Sequence, residues 1–308
     1  MPDRPAPAGR SAALDGLAML LLIGCCGLWG FNHVATKLTL ASVPPLVQAG
    51  SRSLGAALLV AMWSWRRGIS LGSGNGTLRG GLLAGALFAA EFAAIFIGLQ
   101  HTSASRMVVF LNLSPFVVAL GMPLVVRTPW PAPVQWCGLA LAFSGVAWAF
   151  AEGLRGAPGQ TSTALGDSLG VLGALLWGAT TLTIRGSKLA GAPPEQTLFY
   201  QLAVSGVLLV AASLLAGEHW PAPGSLTAQP LALMAFQTVV ITFASYLVWF
   251  WLVRHYPATQ VASFTLLTPL AGLLAGVGLL GEPLTLRLLL ACAAVAAGIV
   301  LVNRPDRR

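Results

Sequence analysis

Charge is what this sequence has least of. Only 8% of its 308 residues are Asp, Glu, Lys or Arg, while 56% are hydrophobic. A soluble domain carries about 25% charged residues to wet its surface. Lipid is the better solvent for this chain, because a bilayer core demands runs of about 20 apolar residues. Histidine and cysteine are scarce as well, four of each. Cys25, Cys26, Cys137 and Cys292 all lie in apolar runs, and no pair has metal-ligand spacing with a histidine. No metal site is therefore expected. No Walker-type loop or nucleotide fingerprint is present, so gradient energy is favoured over ATP and no cofactor is expected. An intramembrane enzyme would need a nucleophile–base pair or clustered ligands. His101, His219 and His255 instead sit at loop edges, and the chain is not read as an enzyme.

The net charge of +8 would suggest nucleic acid in a soluble protein. Here the basic residues are single or paired between apolar runs, with no basic patch interleaved with aromatics. They read as topology signals and lipid-headgroup contacts, and no nucleic-acid partner is expected.

Ten apolar segments can be marked, roughly 17–39, 45–65, 80–99, 103–126, 134–151, 167–185, 196–216, 231–253, 259–280 and 285–303. Each backbone amide in lipid must be satisfied within its own segment, so these are helices. The spacing predicts a disordered tail over 1–16, a first five-helix unit over 17–151, a periplasmic linker over 152–165, a second unit over 166–303 and a tail over 304–308. With the N-terminus inside, twelve Lys or Arg fall in inner segments, among them Arg66, Arg67, Arg127 and Arg185. Four fall outside: Lys37, Arg106, Arg155 and Arg287. That bias predicts cytoplasmic termini.

The halves resemble one another. Trp29-Gly30 matches Trp177-Gly178, Pro44-Pro45 matches Pro193-Pro194, and Leu113-Ser114-Pro115 matches Leu267-Thr268-Pro269. Five spans per half is an odd number, so the second half enters from the opposite side. The expected fold class is an all-α membrane protein with ten transmembrane helices in two inverted five-helix repeats. Such repeats give alternating access a physical basis, since two near-equivalent halves can exchange conformations.

These residues resemble the drug/metabolite transporter superfamily, specifically its EamA-type two-repeat permeases. The stretches that carry the resemblance are Trp29 to Lys37, Arg52 to Leu58, Thr102 to Ser105 with Pro115, Gly166-Asp167, Tyr256 to Thr259 with Pro269, and Gly281-Glu282-Pro283. The resemblance implies a central cavity between the halves and transport of small metabolites, often export of amino acids or related compounds. The expected location is the bacterial inner membrane. One departure is that the family pattern ends helix four with Gly-Glu, where this sequence has Arg127-Thr128.

Polar groups inside the spans mark the candidate site. A charge in a membrane span costs about 2.5–3.5 kcal/mol on insertion scales, so it needs a partner or a purpose. At about 1.5 Å per residue, Arg52 on the second span and Glu91 on the third lie at nearly the same depth. They are expected to form an ion pair or to face one cavity. Asn32, His33 and Asn112 share that level, and convergence from several helices is what a binding cavity requires. Glu91 and His33 are candidates for proton transfer; Arg52 and Glu91 are equally candidates for a substrate's carboxylate and amine. Gln201, Ser245 and Tyr246 are candidates for the opposite wall. Trp29 and Trp177 are candidate cavity aromatics or packing residues, and Pro115 and Pro269 are expected to kink their spans. Lys37 is expected to snorkel to headgroups or to contact an anionic substrate.

The expected function is a secondary-active transporter of a small polar metabolite, with protons as a candidate coupling partner. Multidrug efflux and a non-transporting membrane scaffold are the alternatives. Composition leaves the oligomeric state open.

Overall fold

The computed structural model describes residues 15–72, 76–155, 163–222, 224–256, 264–265 and 267–302. Most of the two expected tails and of the linker lies outside these residues. Among the described residues the chain is helical throughout, without strands. The first half contains α1 (Gly16–Thr39), α2 (Pro45–Arg66), α3 (Leu78–His101), α4 (Ala104–Leu111), α5 (Ser114–Val125) and α6 (Pro133–Arg155). The second contains α7 (Ala164–Arg185), α8 (Pro194–Leu215), α9 (Ala228–Ala235), a π-helical stretch over Phe236–Ser245, α10 (Tyr246–His255), α11 (Leu267–Leu280) and α12 (Leu286–Val302). Six helical stretches, counting α4 with α5 and α9 with most of α10, are long and apolar enough to cross a bilayer. With the shorter apolar α11 and α12, they make this a multi-pass membrane protein.

Local chemistry explains where the helices begin. Asp15 caps α1 by accepting from the Ala18 N–H at 2.7 Å. Ser103 caps α4 by accepting from the Arg106 N–H at 3.1 Å. Pro45 and Pro194 open α2 and α8, where the missing N–H costs no helical hydrogen bond. The fourth span departs from expectation. It is not one kinked helix but two, separated at Asn112 and Leu113, with Pro115 in the first turn of α5. Proline lacks the N–H that would continue α4, so the chain restarts rather than bends. Pro269 likewise sits near the start of α11 and not in mid-helix.

The helices pair in a recurring pattern. α1 packs on α11, and α7 packs on α4 and α5. α3 packs on α7 and α8, while the π-helical stretch packs on α1 and α2. α2 meets α8, and α6 meets α12. Close approach at the first pair depends on glycine. A Cβ added to Gly30 would lie 2.7 Å from the Thr268 carbonyl, and one added to Gly178 would lie 3.5 Å from that of Ser114. Those four residues are the ones matched between the halves in the sequence.

Candidate functional site

Arg52 stands in the first half of α2 and is 2% exposed. It forms no ion pair with Glu91, which corrects the more direct of the two sequence expectations. Its guanidinium instead lies over two rings of α3, 4.3 Å from the centroid of Phe92 and 4.9 Å from that of Phe96. Aromatic faces carry negative charge density and stabilise a desolvated cation by about 2 kcal/mol. The stacking covers the guanidinium and leaves its edge bare. Arg52 Nε and Nη2 have no hydrogen-bond partner within the protein. Nor does Oε2 of Glu91, a 4% exposed carboxylate one residue before Phe92.

Five more candidates, Trp29, Asn32, His33, Ser245 and Tyr246, lie on the elements around this centre. Arg52 lies within electrostatic reach of Glu91, Tyr246 and His33. His33 Nδ1 and Asn32 Oδ1 on α1 are buried and equally without partners. The Tyr246 ring packs edge-on to Trp29, 5.9 Å between centroids, and Trp29 also contacts Trp249 at 4.9 Å. Trp29 Nε1 donates to Ser245 Oγ at 2.8 Å, fixing the indole at the end of the π-helical stretch. Groups from α1, α2, α3 and α10 therefore meet around one guanidinium.

Other candidates are placed differently. Asn112 is buried, but its side-chain amide donates to the Val108 carbonyl at 2.7 Å and so closes α4. Gln201 is buried on α8. Trp177 is 40% exposed, unlike its repeat counterpart Trp29.

Sequence reasoning missed a second polar centre. Arg106, counted as an outer-loop charge, is 8% exposed and bonds Asp167 twice, through Nε at 3.1 Å and Nη2 at 2.6 Å. Lys37 does not snorkel. Its Nζ donates to the Thr102 carbonyl at 2.6 Å and lies 3.6 Å from Glu282. The available signal was the pair of short motifs Gly166-Asp167 and Gly281-Glu282, whose carboxylates sit at helix ends.

The profile of the EamA-like transporter family matches this chain twice, over residues 16–151 and 164–304. The chain belongs to the EamA-like transporter family. Its curated relatives include the "Uncharacterized inner membrane transporter YedA" of Escherichia coli, 25% identical over 90% of this chain and 87% of that one. Another is the "Probable amino-acid metabolite efflux pump" of Salmonella typhimurium, 28% identical over 93% of this chain and 94% of the relative. A solved crystal structure covering 93% of this chain and 97% of its own superposes with a TM-score of 0.63 at 17% identity, a likeness of fold. The EamA-like assignment agrees with the resemblance read from the motifs. These relatives are named as transporters, not enzymes.

Proposed function

We propose that this chain is a secondary-active transporter of small polar metabolites that works by alternating access, with amino acids or related compounds as its first candidate cargo. In this reading ten spans form two inverted five-span repeats, with both termini cytoplasmic. The double family match supports two repeats. The helix pairings support them too, because exchanging the halves turns α1–α11 into α7 with α4 and α5, and α3–α8 into the π-helical stretch with α2.

The observation that carries the reading is the bare edge of Arg52. A buried unpaired donor costs about 1–3 kcal/mol, more when charged. Nε and Nη2 together form a fork that matches a carboxylate in bidentate geometry. Glu91 Oε2, Asn32 Oδ1 and His33 Nδ1 are free to accept from a donor on the same solute. The Salmonella relative's printed name fits such a cargo.

Thermal-shift screening of the purified protein tests the site. Carboxylate-bearing solutes should raise Tm of the parent, their uncharged amides should not, and Arg52→Gln should abolish the shift. A shift that is the same in Arg52→Gln contradicts the reading.

A further inference from the structure

Charged groups from both halves of the chain meet inside the bundle at the end that holds Thr102. Asp167, at the start of α7, is completely buried. Its carboxylate accepts from Arg106 Nε and Nη2, from the Thr102 hydroxyl at 2.7 Å and from the Thr163 hydroxyl at 2.9 Å. Arg106 Nη2 also donates to the Ala149 carbonyl on α6 at 2.6 Å. Glu282, beyond the end of α11, accepts from the Ala104 and Ser105 N–H groups at 2.7 and 2.9 Å and from the Ser105 hydroxyl at 2.6 Å. It thus caps α4 from the other half, where the helix dipole favours an anion. Lys37 at the end of α1 links Glu282 to the Thr102 carbonyl.

The network is separate from the Arg52 centre and spans the seam between the halves. Lys37, Thr102, Ser105 and Arg106 come from the first half, Asp167 and Glu282 from the second. A buried ion pair adds little stability relative to apolar packing, but removing one member while the site stays shut strands the other charge without a partner, so the closed arrangement depends on the whole set. Among the described residues, hydrogen bonds at the opposite end include Tyr256 to Asp15, Gln196 to the Gly72 carbonyl and Gln135 to the Val302 carbonyl. Both ion pairs between described residues lie at the Thr102 end.

We propose that the network of Asp167, Arg106, Lys37 and Glu282 is a latch that holds the Thr102 end of the bundle closed and comes apart when that end opens. Its purpose rests on the transport reading, and under that reading's orientation this end is periplasmic. Opening exchanges intraprotein partners for water around four charges. Weakening any one of them biases the two-state equilibrium toward the open form.

Pulsed electron-electron spin distances test this on the full chain in nanodiscs without substrate. Labels go on cysteines replacing Ser42 and Leu284, both exposed at this end, with exposed Cys137 changed to Ser. Asp167→Asn and Lys37→Met are compared with the parent. Each should raise the ratio of long to short distances by about 10-fold. Lys37 is one-third exposed, so its truncation leaves folding intact and decides the matter if Asp167→Asn does not fold. A folded Lys37→Met protein with the parent's distance distribution overturns the latch. Absence of flux in the parent would instead sink the transport reading and leave the distances standing.

Discussion

The guanidinium of Arg52 lies 4.3 Å over the ring of Phe92, and Glu91, the residue before that ring, does not pair with it. α3 thus presents an apolar cover and a carboxylate side by side. The cation is held by the first, and the second keeps a free oxygen. Had the two charges closed on each other, a solute would have to break that pair before binding. Phe92→Ala should therefore lower stability by about 3–5 kcal/mol through lost packing, as large core truncations do. Phe92→Leu keeps most of the volume and removes the ring, so it should retain the fold and weaken ligand-induced Tm shifts. Thermal melts with and without ligand check both.

The matched glycines give a second expectation. Gly30→Ala drives a methyl into the Thr268 carbonyl and the Gly272 N–H, at 2.7 and 2.5 Å from the added carbon. Backbone atoms have little room to retreat, so the substitution should cost about 1–3 kcal/mol by overpacking. Gly178→Ala meets Val117 side-chain atoms at 2.5 Å, which can shift more readily. Melts of the two variants should rank Gly30→Ala as the more destabilised.

A third expectation concerns pH at the start of α1. The Asp15 carboxylate is held below its ordinary value of 3.8, first by the Ala18 N–H and then by the Tyr256 hydroxyl. Tyr256, in turn, is held above 10.0 by its hydrogen bond to Asp15. A depressed carboxyl stabilises the fold above its unfolded value, and that contribution disappears as pH falls through the folded one. A raised phenol stabilises below its unfolded value and loses that contribution as pH climbs through the folded one. Asp15→Asn should therefore remove part of the acid-side fall in Tm, and Tyr256→Phe part of the alkaline-side fall. Parallel pH–Tm curves for parent and variants would contradict this.

Much of this architecture could be read from residue order, because lipid enforces simple rules. Apolar length marks the helices, and the Trp-Gly and Ser/Thr-Pro matches fall where α1 meets α11 and α7 meets α5. Depth counting along α2 and α3 brought Arg52 and Glu91 to one level. It did not decide between an ion pair and stacking on Phe92, since both alternatives place Arg52 and Glu91 at the same depth. Arg106 follows a helix end and reads as a headgroup contact. Its burial depends on Asp167, 61 positions away. The break at Asn112 and the π-helical stretch before Tyr246 have no compositional signature, because tertiary packing sets the backbone there.

Loss of the Trp29–Ser245 hydrogen bond offers a milder test of the wall beside Arg52. Trp29→Phe removes the Nε1 donor while Ser245 Oγ still donates to the Ile241 carbonyl. The expected cost is about 1 kcal/mol, as for a typical intramolecular hydrogen bond. Thermal unfolding gives the value, and flux should fall further if Trp29 also positions Tyr246.

Gradient-driven flux in proteoliposomes tests the central claim most directly. The parent should accumulate a carboxylate-bearing solute against its concentration gradient under an imposed pH gradient. Arg52→Gln should lose at least about 10-fold in rate, in line with losing a charge-assisted hydrogen bond. Glu91→Gln should lose the response to the pH gradient. Flux at the parent's rate and with the parent's pH response in both variants would contradict the account.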